Sequence, residues 1–350
     1  MHETLHIARK LAALQDLGFE RVDVSPVTTE AIRVGRRTHK VTQSRPAMGT
    51  VVSVSVLARS AHRAQEGIGR AFEEMDRLIR IFSRYESVSA VSHLNESGSL
   101  NGAPPEFTQV LSHSLRMHEL SGGAFDISVA PVLDLFRERM AALASVEPSA
   151  SEIREALQLV GAAHIDVKQN RVTFKRAGMA VTLDGIAKGF IVDVIADVLR
   201  RHKVKDYLIN AGGDIRTSGA KEGRHPWTVA VQNPTKNGTY PDTIHVTNAA
   251  VATSGSYEIY FDRDQLLHHI VNATTGRSPA ECASVSVVAP STVAADALST
   301  TVFVMGPVDG VRFVDGLQGC ECLIIDRDGR HVRSRGWKSA IVDNEEYAEA

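Results

Sequence analysis

The stretch ADALSTTVF, Ala295 to Phe303, sets Asp296, Ser299, Thr300 and Thr301 inside an otherwise apolar run. At a helical period Asp296 and Thr300 stand four residues apart, one turn above the other on a single face. Ala297, Leu298 and Phe303 mark the same helix as buried. Two arrangements account for a carboxylate and a hydroxyl on such a face. In one, Asp296 caps a helix N-terminus and Thr300 bonds back to its own helix. In the other, both supply oxygen to a hard divalent cation, with phosphates completing the shell.

Upstream, ASVSVVAP reads as a strand, and CECLIID downstream as another, so the helix lies between strands. Working outward, TVVSVSVLA (Thr50 to Ala58) alternates with period two. Ala64, Ile68, Ala71, Phe72, Met75, Leu78, Ile79 and Phe82 then recur every three or four residues, as in a long helix. NESGSLNGAPPE has the composition of a loop. Pro131 in DISVAPVLDLF marks a helix start, and ASVEPSASEIREALQLVG reads as a loop, a Ser-capped helix and a Gly stop. VTLDGIAKGFIVDVIADVLRRH predicts a strand, a glycine turn and a helix whose last turn carries Arg200, Arg201 and His202. DYLINAGGDIRTSG is a strand entering a Gly-Gly turn; PWTVAVQNP, AVATSG and HHIVNA are strands or strand ends. Strands and helices mix without strict alternation, which predicts an α+β fold, a single domain over residues 44–345. Residues 1–43 read as an extension: a short helix with Leu5, Ala8, Leu11, Leu14 and Leu17 on one face, then the basic linker RVGRRTHK.

The composition, 43% hydrophobic and 23% charged over 350 residues, is that of a globular protein. A net charge of −2 gives no basic excess for a nucleic-acid partner. Three cysteines, Cys282, Cys320 and Cys322, are too few for a disulfide framework and lack C-x-x-C spacing, so they read as buried strand residues. No run reaches the length of a membrane span. Glu3, Arg9, Lys10 and Asp16 interrupt any signal-peptide core, so the expected location is cytoplasmic.

Four patches join glycine to a polar residue at a junction: SGGAFD, LDGIAKG, NAGGDI and ATSGSY. Such turns let backbone approach a ligand, and helix N-termini offer N–H groups to phosphate. They match neither a Rossmann nor a P-loop pattern, and no G-x-S-x-G or zinc spacing is present. The residues alone stop at an α+β protein with a metal–phosphate site as one option.

The ordered series of motifs goes further. AMGT (Ala47 to Thr50), FSRYESVSAVSHLN, GGAFDISVAPV, LDGIAKGFIVD, NAGGDI, WTVAVQNP, VATSGSY, HHIVNATTGRS and VVAPSTVAADALSTTVFVMG run in order from about residue 45 to 340. In this series the chain resembles the flavin transferase family, the FAD:protein FMN transferases of the ApbE type. The resemblance implies FAD as substrate, a magnesium ion, and transfer of FMN to a threonine or serine hydroxyl of an acceptor flavoprotein, such as a subunit of a membrane redox complex, with release of AMP. It implies flavin and nucleotide contacts from Met48, Tyr85, Ala124, Phe125, Asp126, Asp184, Lys188 and Ile270. Magnesium would be held by Ala187 through its carbonyl, Asp296 and Thr300. His269 aligns with the essential histidine, and its neighbour His268 is expected to be dispensable. Asn272 and Ala273 stand where the family usually has Asp and Pro. A magnesium-dependent FAD pyrophosphatase and a non-catalytic FAD-binding protein are the alternative functions.

Overall fold

The computed structural model describes residues 28–141, 147–256 and 268–340. The helix expected near the amino terminus lies outside them. Thr28–Gly35 (β1), Thr38–Ala47 (β2) and Thr50–Ala58 (β3) are consecutive antiparallel strands. The basic stretch expected as a linker is therefore a hairpin of the main sheet, and residue 43 falls inside β2. β1 is exposed along nearly its whole length, and β2 is tied to the core through Val41, which pairs with Val56; both are fully buried.

Ala61–Phe82 (α1) starts at a Ser60 cap and buries Ala64, Ile68, Phe72, Met75 and Leu78. The segment expected as a loop is structured instead. Ala90–Ser97 (α2) is capped by Ser89 and ended by left-handed Gly98, and Ser99–Asn101 (β4) follows. Pro105–Leu120 (α3) and Ala130–Ala141 (α4) come next, with Pro131 in the first turn as expected. Ala150–Leu157 (α5) carries a full capping box from Ser149 and Glu152. Ile165–Lys168 (β5) and Arg171–Phe174 (β6) join β4 in a small sheet.

Val181–Leu183, expected as a strand, pairs with no strand. The Asn95 side chain does the pairing instead: Oδ1 accepts from Val181 N–H at 2.8 Å and Nδ2 donates to Val181 O at 2.9 Å. Ala187–Arg201 (α6) follows the turn.

Asp206–Ala211 (β7) and Asp214–Ser218 (β8) form a hairpin across Gly212 and Gly213. Among the described residues, Trp227–Val231 (β9) pairs only with Asp242–Val246 (β10). Ala250–Gly255 (β11), Cys282–Ala289 (β12), Thr292–Asp315 (α7), Glu321–Asp326 (β13) and His331–Arg333 (β14) complete the fold. The nine-stranded sheet runs β1-β2-β3-β7-β8-β11-β12-β13-β14, with every pairing antiparallel. The fold is α+β.

Two cores lie between this sheet and its helices. Val52, Val54 and Val56 of β3 pack with α1 and α6, and Val285 and Val287 of β12 pack with Leu298 and Phe303 of α7. A third core, with Trp227, Ile244, Ile215 and Trp337, joins β9 and β10 to β8. Helix α7 breaks at Gly306 (φ 81°) before Pro307, which has no N–H to continue the ladder. The three cysteines are buried free thiols. HHIVNA, expected as a strand or strand end, is a single bridge at His268 followed by a bend.

Candidate active site

Close approach of α6 and α7 positions the central residues. A Cβ added at Gly189 would stand 2.7 Å from Asp296 Cβ and 2.8 Å from the carbonyl carbon of Thr292, so only glycine permits this crossing. Asp193, one turn on, accepts from Thr292 N–H at 3.0 Å and Val293 N–H at 2.9 Å and holds the start of α7 against α6.

Asp296 Oδ2 accepts from Gly189 N–H at 2.9 Å. The capping option of the sequence is thus half met, because Asp296 caps the neighbouring helix rather than its own. The back-bonding half is not. Ser299 and Thr301 donate to the carbonyls of Asp296 and Ala297, whereas Thr300 Oγ1 sits 3.3 Å from Ser254 Oγ. Gly185 leaves room there, since an added Cβ would be 2.9 Å from Thr300 Oγ1.

Asp214, first residue of β8, was not singled out in the sequence, although the NAGGDI patch contains it. It is 1% exposed, and its Oδ2 has no hydrogen-bond partner. Lys188 Nζ is 3.6 Å away, an ion pair without a hydrogen bond. Burial pushes the Asp214 carboxyl well above its ordinary value, and the neighbouring Asp296 charge adds to this. Burial likewise raises Asp296, to about 6, against the opposing pull of Lys188 and the Gly189 N–H. Two buried carboxylates share one ammonium, which leaves the pocket short of positive charge.

The β7–β8 turn also meets the β2–β3 turn. An added Cβ at Gly212 (φ 61°) would lie 2.8 Å from Thr50 Cβ, and Asn210 Oδ1 accepts from Gly213 N–H at 2.9 Å. Met48 occupies that second turn with φ 53°, a left-handed conformation that is unusual for a side chain of its size. Met48, Asp184, Ala187, Lys188, Asp296 and Thr300 thus come from elements that converge at one end of the central strands of the sheet.

The other expected contacts are placed differently. Asp126 is committed to the backbone: Oδ1 accepts from Ser128 N–H at 2.7 Å, Oδ2 from Ala162 N–H at 3.1 Å, and His118 Nδ1 lies 3.3 Å away. Its neighbour Ile127 accepts from Thr182 N–H, which brings the GGAFD turn against the lead-in to Asp184. Phe125 and Ile270 spend their side chains in the two helical cores, and Ala124 is half-buried. Tyr85 is 79% exposed on the segment between α1 and α2. An ion chain runs from that segment to the site: Arg84 to Asp134 (2.5 Å), Asp134 to Arg137 (3.3 Å), Arg137 to Asp184 (3.8 Å). The spacing of Asp134 and Arg137 gave no hint of it.

His268 is fully buried. Its Nε2 is 3.1 Å from Pro279 O, and its ring packs edge-on against Phe303 at 5.4 Å, one turn from Thr300. His269 is half-buried at the bend that follows. Asn272 Oδ1 accepts from the N–H groups of Thr274 and Thr275, so the amide shapes this loop as a carboxylate would.

The site therefore offers carboxylate and hydroxyl oxygens (Asp214, Asp296, Thr300), among them a buried carboxylate oxygen that has an ion pair but no hydrogen bond, a set that fits a hard divalent cation. The ApbE family model matches residues 48–324. The chain belongs to the ApbE family. It is 29% identical over 294 residues to a FAD:protein FMN transferase of Vibrio cholerae, covering 81% of this chain and 87% of the relative. It is 28% identical over 302 residues to one of Escherichia coli, covering 83% and 85%. The crystal structure of the ApbE protein of Thermotoga maritima matches with a TM-score of 0.74 at 29% identity, covering 88% of this chain and 97% of that one. In ApbE-family terms, the match spans every element from the β2–β3 turn to β13.

Proposed function

We propose that this chain transfers the FMN half of FAD to a threonine or serine hydroxyl of an acceptor protein and releases AMP. The observation that carries the proposal is the buried Asp214–Asp296 pair beside Lys188, at the start of α6, in a chain of this family. Asp296, Thr300 and the Ala187 carbonyl would hold magnesium, with Asp214 beside them. When bound, that ion supplies neutralisation of the pyrophosphate and of charge on the departing AMP.

The chain's own groups do the rest. Lys188 presents a cation toward the phosphates from the first turn of α6, and the Gly185 turn lets them approach the backbone. Met48, Tyr85, Ala124 and Asp184 would line the path of the dinucleotide, and Phe125, Asp126 and Ile270, whose side chains are committed to the core or to backbone N–H groups, would shape it from behind. His269 would accept the acceptor hydroxyl proton as its oxygen bonds to the FMN phosphorus and the anhydride bond to AMP breaks. Asp214 is an addition to the residues expected from sequence, since it anchors Lys188.

The test is incubation with FAD, magnesium and a threonine-bearing acceptor. Protein-bound FMN supports transfer. Free FMN with AMP would instead assign a pyrophosphatase, and unchanged FAD a flavin-binding protein. Among the described residues no helix is long and apolar enough to cross a membrane.

A further inference from the structure

The far end of α6 carries a second concentration of charge. RRHKVK, residues 200–205, holds Arg200, Arg201, Lys203 and Lys205 without an acidic residue, in a chain whose net charge is −2. Helix α6 has 15 residues, so this end lies about 20 Å from Lys188 at 1.5 Å per residue. It is a different place from the site described above.

Three of these charges, Arg200, Lys203 and Lys205, border an open, shallow hollow of about 480 Å³ that Val204, Ser218, Gly219 and Asn248 also line. Arg200 is engaged by Asp197. Lys203 and Lys205 are exposed and form no ion pair with a described residue. The nearby carboxylate of Asp206 is turned to the backbone and accepts from Ala220 N–H at 3.0 Å. Asn248 Oδ1 accepts from Gly219 N–H at 2.8 Å, which leaves its amide nitrogen as a donor. Gly219 (φ 60°) brings the floor of the hollow close: an added Cβ would meet the Asp206 side chain and stand 2.9 Å from Lys205 O.

Lys203 is the informative residue. Helix α6 ends in a Schellman-type turn, with Val204 N–H bonded to Leu199 O at 3.0 Å and Lys203 N–H to Arg200 O at 2.9 Å. The residue at this turn has φ 62°, a position where glycine is free of strain and lysine is not. A cation stands where the backbone favours glycine. Basic residues also suit a helix C-terminus. That end carries only about half an elementary negative charge, which Lys203 and Lys205 together exceed.

We propose that this hollow binds a phosphate group, with Lys203 and Lys205 as its cations and Asn248 as a neutral donor. The ligand is either the headgroup of an anionic lipid or a free phosphate compound, and both offer the same oxyanion. The proposal does not rest on the transfer reaction.

The test uses the full chain without FAD and two probes: phosphatidylglycerol vesicles, with phosphatidylcholine vesicles as control, and inorganic phosphate. The variants are Lys203→Gly and Lys203→Gly with Lys205→Gln. Lys203→Gly relieves the left-handed backbone, so its melting temperature should stay level or rise by about 1–2 °C. Its affinity should fall about fivefold, and that of the double variant about 25-fold, on the scale of one lysine near an anionic surface. Salt-sensitive sedimentation with phosphatidylglycerol vesicles, weakened by the variants, identifies a lipid headgroup. Phosphate binding by calorimetry, weakened by the variants and without vesicle binding, identifies a soluble ligand. Absence of both, or binding equal in wild type and variants, overturns the proposal.

Discussion

Gly189→Ala joins the fold to the site in one substitution. The new methyl group would stand 2.7 Å from Asp296 Cβ and 2.8 Å from the Thr292 carbonyl carbon, with the Thr292 oxygen also in its way. Carbon contacts settle near 3.5–4.0 Å, so α6 and α7 must part by about 1 Å. Overpacking of this kind costs about 1–3 kcal/mol. The same substitution returns about 1 kcal/mol of helix propensity, which leaves a net loss of up to about 2 kcal/mol. Catalysis suffers more. The hydrogen bond from Gly189 N–H to Asp296 lengthens with the parting, and a 1 Å displacement of reacting groups lowers rates about 100-fold. Gly69→Ala in α1 is the matched control, because an added Cβ there meets nothing within 4 Å. It should stabilise by about 0.5–1 kcal/mol and leave turnover unchanged. Urea unfolding and steady-state transfer assays on both variants decide the matter. A Gly189→Ala protein as stable and as active as wild type would refute the close-crossing account.

Asp296→Asn keeps an acceptor for Gly189 N–H but removes the charge, so magnesium-dependent turnover should fall about 100-fold or more while circular dichroism stays native. Because the Asp296 pKa is raised from 3.8 to about 6, ionising it destabilises the metal-free fold as pH climbs through that interval. The Asn variant, unfolded in urea at pH 7 with chelator, should then be about 1–3 kcal/mol more stable than wild type; a less stable variant contradicts the burial argument. His268→Ala should lose about 2–4 kcal/mol in thermal unfolding, since it empties a packed site under Phe303, whereas His269→Ala should keep the fold and lose transfer by about two to four orders of magnitude. An active His269→Ala enzyme would remove the proposed base. Asp242 carries the opposite pH signature. Burial opposes its charge, but hydrogen bonds from Ser339, Trp337 and Thr243 N–H, with Arg333 close by, hold its pKa below the ordinary 3.8. Its contribution is complete above pH 4 and is lost progressively as pH falls through the lowered value, so Asp242→Asn should cost about 1–3 kcal/mol at pH 7 and less as the pH is taken below 4, measured by urea titration.

The long periodic elements were legible: α1, α6 and α7 follow their apolar spacing, and β3 and β7 their alternation. The sequence pattern failed where one side chain replaces a repeating one. Val181–Leu183 has the apolar run of a strand, yet Asn95, 86 residues away, satisfies its backbone. Arg33 to Lys40 looked like solvated linker because an exposed edge hairpin carries charge and no buried alternation, and only its pairing reveals it as sheet. Asp296 and Thr300 stood out because polar groups in an apolar helix are conspicuous. Asp214 did not, since an aspartate after Gly-Gly looks like turn chemistry until its burial is seen. Asp126 shows the reverse: a conspicuous carboxylate whose oxygens are taken up by backbone N–H groups.

Strands β3 and β7 lie side by side in the sheet, with Val52 opposite Ala211. About 160 residues of chain, including six helices and the small sheet, are threaded out and back between them. Closing a loop of that length costs about 4–5 kcal/mol of entropy before any contact across it is made. The Met48 turn belongs to one side of that closure, and the Asp214 turn with α7 to the other. Met48 therefore stays apart from Lys188, Asp214 and Asp296 until the longest loop in the molecule has shut. Their meeting should coincide with the slow step of folding, so recovery of activity after dilution from urea should track that phase and none of the faster ones.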